Sequence, residues 1–204
     1  MKIPRAIQQL INQFERLPGI GPKTAQRLTF YLLHVPQSAL DDFASALANL
    51  KKHTVQCSIC QNVAEADPCP ICSDPSRRQD LIMVVEHPLD VLVIERAGVF
   101  DGVYHVLHGI LSPLDNIGPD DLYIKELFSR LQHGTIREII LGLNPTMEAE
   151  ATALYLKNKI NALTHQRINE LTITRLGQGM PTGGDLQYAD DSTLKQALEG
   201  RKEY

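Results

Sequence analysis

The chain has 204 residues, a formal charge of −4, 43% hydrophobic and 22% charged residues, which excludes disorder and fibrous repetition and allows one large domain or several small modules. No apolar run approaches the roughly 20 residues that a bilayer span needs, and the start MKIPRAIQQL lacks a signal peptide's apolar stretch, so a soluble, cytoplasmic protein without membrane partners is expected. The charge is unevenly placed: residues 1–56 carry seven Lys/Arg against three acids, whereas the other 148 carry 13 basic and 21 acidic side chains, a basic end on an acidic body that can hold a polyanion at one face.

Ile7, Leu10, Ile11 and Phe14 recur at helical spacing and predict a first helix. Pro18-Gly19-Ile20-Gly21-Pro22 interrupts it, and a second helix is expected from Pro22, since proline suits a first helical turn. Two glycines one residue apart, Gly19 and Gly21, permit a tight hairpin whose backbone can approach a ligand without a Cβ in the way. Amides at the hairpin and at the next helix start then become anion donors, and Lys23 and Arg27, four apart on one helix face, can reach flanking phosphates. A corner made tight by glycine and proline alone would need neither cation. The segment Leu17–Leu28 looks like a helix-hairpin-helix motif, a binder of the DNA backbone without base readout. One hairpin makes few phosphate contacts, so useful affinity calls for several copies on a shared path. A third helix is predicted from near Ser38, as its cap, to about Lys52.

Cys57, Cys60, Cys69 and Cys72 form C-x2-C-x8-C-x2-C, with no cysteine elsewhere. Each C-x2-C can aim two thiolates at one point, and two such turns complete a tetrahedral Zn2+ site; a disulfide pair or a redox pair fits a reducing compartment and this matched spacing less well. With all four positions taken by protein the zinc is expected to be structural, folding a segment with too few apolar residues for its own core.

Beyond residue 80, apolar runs at Leu81–Val85, Val103–Leu107, Ile136–Leu141 and Leu171–Thr174 alternate with helical candidates at 88–97, 119–133 and 146–162. That alternation predicts an α/β domain with a mostly parallel sheet. The tail from 175 has a Gly/Pro-rich loop and a short helix near 191–200; Gly177–Asp185 lacks the order of a phosphate-binding P-loop. Glu86 ends the first strand, where open α/β sheets bind ligands, with Asp90 in the following helix turn. Both this segment and Ile139–Ala151 resemble the Toprim fold of topoisomerases and primases, whose catalytic members join a glutamate to a later D-x-D to hold Mg2+. Here Asn144 and Thr146 stand where those aspartates would be.

Taken in order, the hairpin, the four cysteines and the degenerate Toprim segment resemble the bacterial recombination-mediator family RecR over essentially the whole chain. Tyr104–Leu122 and Arg175–Tyr188 are similar to further stretches of that family. The resemblance implies a multidomain α/β protein: residues 1–53 a helical helix-hairpin-helix DNA-binding domain, 54–76 a small four-cysteine zinc finger, 77–174 a Toprim-like domain and 175–204 a C-terminal tail in oligomerisation. It also implies a non-catalytic, nucleoid-associated DNA-repair protein that forms tetramer rings on double-stranded DNA and single/double-strand junctions. Such proteins act with RecO and RecF to help load RecA at single-strand gaps. Gly19, Gly21, Lys23 and Arg27 would then touch DNA, and Glu86 and Asp90 would meet a protein partner. Two departures stand out: Gln178 replaces a more usual basic residue, and Ala149 a common glycine. The competing expectation is a Mg2+-dependent Toprim nuclease or topoisomerase-like enzyme that uses Glu86.

Overall fold

The computed structural model describes residues 3–132, 136–164 and 171–201, divided between one unit within Met1–His53 and another within Thr54–Tyr204. The first unit holds helices α1 (Arg5–Phe14), α2 (Pro22–Leu32) and α3 (Gln37–Asn49). Ile11 of the predicted stripe is fully buried, as are Ala25 and Thr29 on α2, and the Thr29 hydroxyl donates to the Ala25 carbonyl at 2.9 Å. Helix α3 starts one residue before Ser38 and stops short of Lys52: Pro36, at φ −55° and ψ 143°, already turns the chain into the helix, so Ser38 lies inside rather than at the cap.

The second unit opens with strands β1 (Val55–Gln56) and β2 (Val63–Ala64), an antiparallel pair, and the single-turn helix α4 (Pro70–Ser73). There follow β3 (Arg78–Val85), α5 (Pro88–Ala97), β4 (Gly102–Val106), α6 (Ile124–Gln132), β5 (Glu138–Leu141), α7 (Met147–Thr164), β6 (Thr172–Arg175) and α8 (Asp191–Glu199). The sheet runs β4-β3-β5-β6 and every neighbouring pair is parallel, so the expected α/β architecture is present. Alternate residues serve opposite faces. Ile82, Val84, Val103, Ile139 and Leu141 pack with Leu127 of α6 and Leu156 of α7, while Met83, Val85, Tyr104 and Val106 pack with Val91 of α5. Strand β3 lies between two neighbours and is covered on both faces, which is why it reads as a continuous apolar run.

In this unit two elements start three or more residues from expectation. Strand β3 begins at Arg78, because backbone pairing continues through the polar Arg78-Gln79-Asp80 that hydropathy would end it on. The helix expected over 119–133 begins only at Ile124, since Asp121 turns back to accept from the Gly118 amide at 2.8 Å; position 133 lies outside the described residues.

Candidate functional site: glycine hairpin, cysteine cluster and sheet end

Between α1 and α2 the chain reverses through Leu17–Gly21, closed by the Ile20 amide on the Leu17 carbonyl at 3.1 Å, with Ile20 half-buried. Gly19 sits at φ 79°, which excludes most side chains. Gly21 is different. Its φ of −84° and ψ of 170° suit any residue, and a Cβ there would meet nothing within 4 Å. Neither conformation nor packing among the described residues demands this glycine. The first-turn amides of α2 have no acceptor within the helix and no side-chain cap. Beside them, Lys23 and Arg27 are exposed and form no ion pair among the described residues.

The four cysteines converge. Their Sγ atoms all lie within 4.8 Å of one another, with Cys60 and Cys69 3.5 Å apart. Zinc–thiolate bonds of about 2.3 Å in a tetrahedron place sulfurs just under ~4 Å apart, so the donor set fits one Zn2+. Local backbone explains the convergence. In the first turn the Gln61 amide donates to the Cys57 carbonyl at 2.9 Å, with Gln61 at φ 62°; in the second, Cys69 precedes α4 and its sulfur accepts the Cys72 amide at 3.4 Å. The Cys69 amide donates to Cys57 Sγ at 3.3 Å and links the two turns. Hydrogen bonding from Cys72 pulls the Cys60 thiol down, while burial pushes Cys69 up.

This cluster is seated on the free edge of β4. The Val106 amide donates to the Cys60 carbonyl at 2.8 Å, His108 Nε2 lies 2.6 Å from the Gln61 carbonyl, and the Tyr123 hydroxyl donates to Gln56 at 3.1 Å. Ile71, inside the second cysteine turn, packs against the clusters on both sheet faces. An edge strand would otherwise expose a row of unpaired peptide groups.

At the C-terminal end of the sheet, Glu86 is only 5% exposed. Its Oε1 accepts the Asn144 backbone amide at 2.6 Å and its Oε2 the Asn144 side-chain amide at 2.9 Å. Thr146 accepts the Ala149 amide at 3.2 Å and so caps α7. The two residues in place of the aspartates thus have structural work: one satisfies the buried carboxylate, the other starts a helix. Glu150 is held by Arg175, and Gln178 reaches the same carboxylate at 3.4 Å. Among the described residues, the cysteines are the one group of three or more His, Cys, Asp or Glu placed to share a metal ion. Asp90 uses Oδ2 to accept the His87 amide at 2.8 Å.

The whole chain has named relatives. It is 51% identical over 199 residues to "Recombination protein RecR" of Pelotomaculum thermopropionicum, covering 98% of this chain and 96% of the relative. It is 46% identical over 202 residues to the protein of the same name from Carboxydothermus hydrogenoformans, covering 99% and 98%. The chain belongs to the RecR family. Family descriptions match in series: the RecR helix-hairpin-helix at 7–51, the RecR zinc-finger domain of four cysteines at 54–74, the Toprim domain at 80–176 and the RecR C-terminal segment at 179–202. A RecR protein with a four-cysteine zinc site, a hairpin motif and a Toprim domain is thereby a protein of DNA recombination and repair.

In this RecR chain Glu86, expected at a partner surface, is buried, and Asn144 donates to both of its oxygens. What sequence reasoning missed is the seat of the finger: His108 and Tyr123 lie within or just after the Tyr104–Leu122 stretch, where their distance in sequence from the cysteines hides the contact.

Proposed function

We propose that the protein is a non-catalytic recombination mediator: an oligomeric clamp that holds double-stranded DNA and single/double-strand junctions through its hairpins. It acts with RecO and RecF to load RecA at single-strand gaps, in the cytoplasm at the nucleoid. The observation that carries this reading is Gly21, a glycine required by nothing inside the chain and flanked by unpaired Lys23 and Arg27. A bare backbone beside free cations suits a phosphodiester. Support for the absence of strand chemistry comes from Glu86, whose two oxygens each accept from Asn144 where a hard cation would need further acids. For the partner face we assign the exposed side of α5, where Leu89, Leu92 and Val93 stand exposed around Asp90, with Glu86 acting from inside by holding the Asn144 turn.

The test is charge reversal. Lys23→Glu with Arg27→Glu should abolish retention of a labelled duplex at moderate salt while the circular dichroism spectrum and zinc content stay unchanged. Retention equal to the parent's would overturn the hairpin assignment. A Mg2+- or Mn2+-dependent nicking activity lost in Glu86→Ala would overturn the non-catalytic one.

A further inference from the structure

Arg130, in the last turn of α6, is half-buried and forms no ion pair among the described residues. Its Nη1 donates to the Tyr104 carbonyl at 2.7 Å. Tyr104 and Val106 turn their peptide groups to the free edge of β4, whereas Leu107 turns inward and donates to the Val85 carbonyl at 2.9 Å. Along that edge the next outward group, the Val106 amide, binds the Cys60 carbonyl. Arg130 and the first cysteine turn are therefore neighbours on one strand edge. Burial lowers the guanidinium's pKa, and the charges of Cys72, Cys60, Cys57 and Cys69 each raise it.

Four thiolates on one Zn2+ make a doubly negative centre. The carboxylate of Asp67, which accepts the Ser58 amide at 2.8 Å and the Ser58 hydroxyl at 2.9 Å, adds to the negative charge. A tetrathiolate with surplus negative charge and a cation lacking a carboxylate answer each other's need.

We infer that Arg130 is the charge-balancing residue of the zinc centre, offsetting the tetrathiolate and tying metal retention to the β4 edge. It is a positioning residue and not a ligand. In the loaded protein its charge is compensated; once zinc leaves, each thiol that takes up a proton withdraws part of that compensation and leaves the half-buried guanidinium less well balanced. Removing it therefore has different consequences in the two states, which a purely structural hydrogen bond would not.

Full-length, zinc-loaded protein is mixed with excess chromophoric chelator and zinc transfer is timed for Arg130→Gln and Arg130→Lys. Glutamine keeps an amide donor, on a shorter stem, but carries no charge. Its zinc should leave roughly 10- to 100-fold faster, the range for removal of an outer-shell partner, while the lysine variant stays near the parent rate. Urea midpoints provide the second reading: Arg130→Gln should lower the midpoint of the loaded protein and leave that of the chelator-stripped protein unchanged or raised. An unchanged release rate, or equal midpoint losses in both states, would overturn the inference and leave Arg130 as a hydrogen-bond donor only. If Arg130→Gln does not fold, Arg130→Lys decides: parent-like zinc retention supports charge balance, and zinc lost as fast as from a Cys72→Ser control refutes it.

Discussion

His105 on β4 is fully buried; its Nε2 lies 2.7 Å from the Tyr123 carbonyl, which places the ring hydrogen on Nε2, and Nδ1 has no hydrogen-bond partner among the described residues. Protonation would add a charge with no acceptor, and burial pushes the pKa down to about 4. The unfolded chain takes up this proton near the ordinary imidazole value of about 6.5. Stability is therefore full above that value and falls as pH drops from it towards 4, because the unfolded state then binds more protons. Between neutral pH and pH 5 the parent should lose on the order of 1–2 kcal/mol that His105→Gln, which can still donate to Tyr123, does not lose. Urea unfolding of both proteins across this range reads the difference, and zinc loss in acid cancels because the two share the same cysteines. A second residue-scale test concerns the Toprim remnant. Asn144→Asp replaces a donor to Glu86 with a like charge, and should cost about 2–3 kcal/mol at neutral pH, seen as a lower urea midpoint.

The two hairpin glycines separate folding from binding within one element. Gly19→Ala forces a Cβ into a left-handed conformation and should cost about 1–2 kcal/mol, seen as a lower Tm. Gly21→Ala should leave Tm unchanged or slightly raised, since its backbone accepts alanine and nothing in the chain is near, yet weaken duplex binding about tenfold if one amide–phosphate contact is lost. Equal effects on Tm and binding at both positions would remove the distinction. The elements themselves were legible to the degree that local pattern made them. Proline at the first position of α2, the apolar runs of the sheet and the cysteine spacing are signals contained within a few residues. Strands β1 and β2, two residues each, carry no periodicity; they exist because the cysteine turns bring Val55 opposite Ala64. The polar start of β3 is hidden for the complementary reason, as its pairing outlasts its hydropathy. At the sites, the ligand set was readable because its spacing is local, but the union of Glu86 with Asn144 spans 58 positions and cannot be seen in spacing. Arg130 reads as an ordinary basic residue in a last helical turn until β4 is placed beside it.

For the molecule as a whole, the decisive fact is how little the first unit buries. None of the residues of α3 is buried, and Phe43 and Leu47 on it stand 50% and 66% exposed, with Tyr31 66% exposed at the end of α2. A unit of this size is marginal as a lone core, and on the oligomer proposed above this exposed apolar side is the face that a second copy covers. Light scattering should therefore return a multiple of 22.7 kDa, and Phe43→Asp with Leu47→Asp should shift it downward. On the clamp reading proposed above, binding follows assembly: with Lys23 and Arg27 each neutralising one phosphate, a lone hairpin should show a log–log salt slope of about −2 and four hairpins on one path about −7. The parent should give the steep slope and the Phe43→Asp/Leu47→Asp protein the shallow one, with hairpin chemistry untouched. A shallow slope in an intact oligomer would mean that its hairpins do not share one DNA path, and the clamp would fail as an account of affinity even if each hairpin binds.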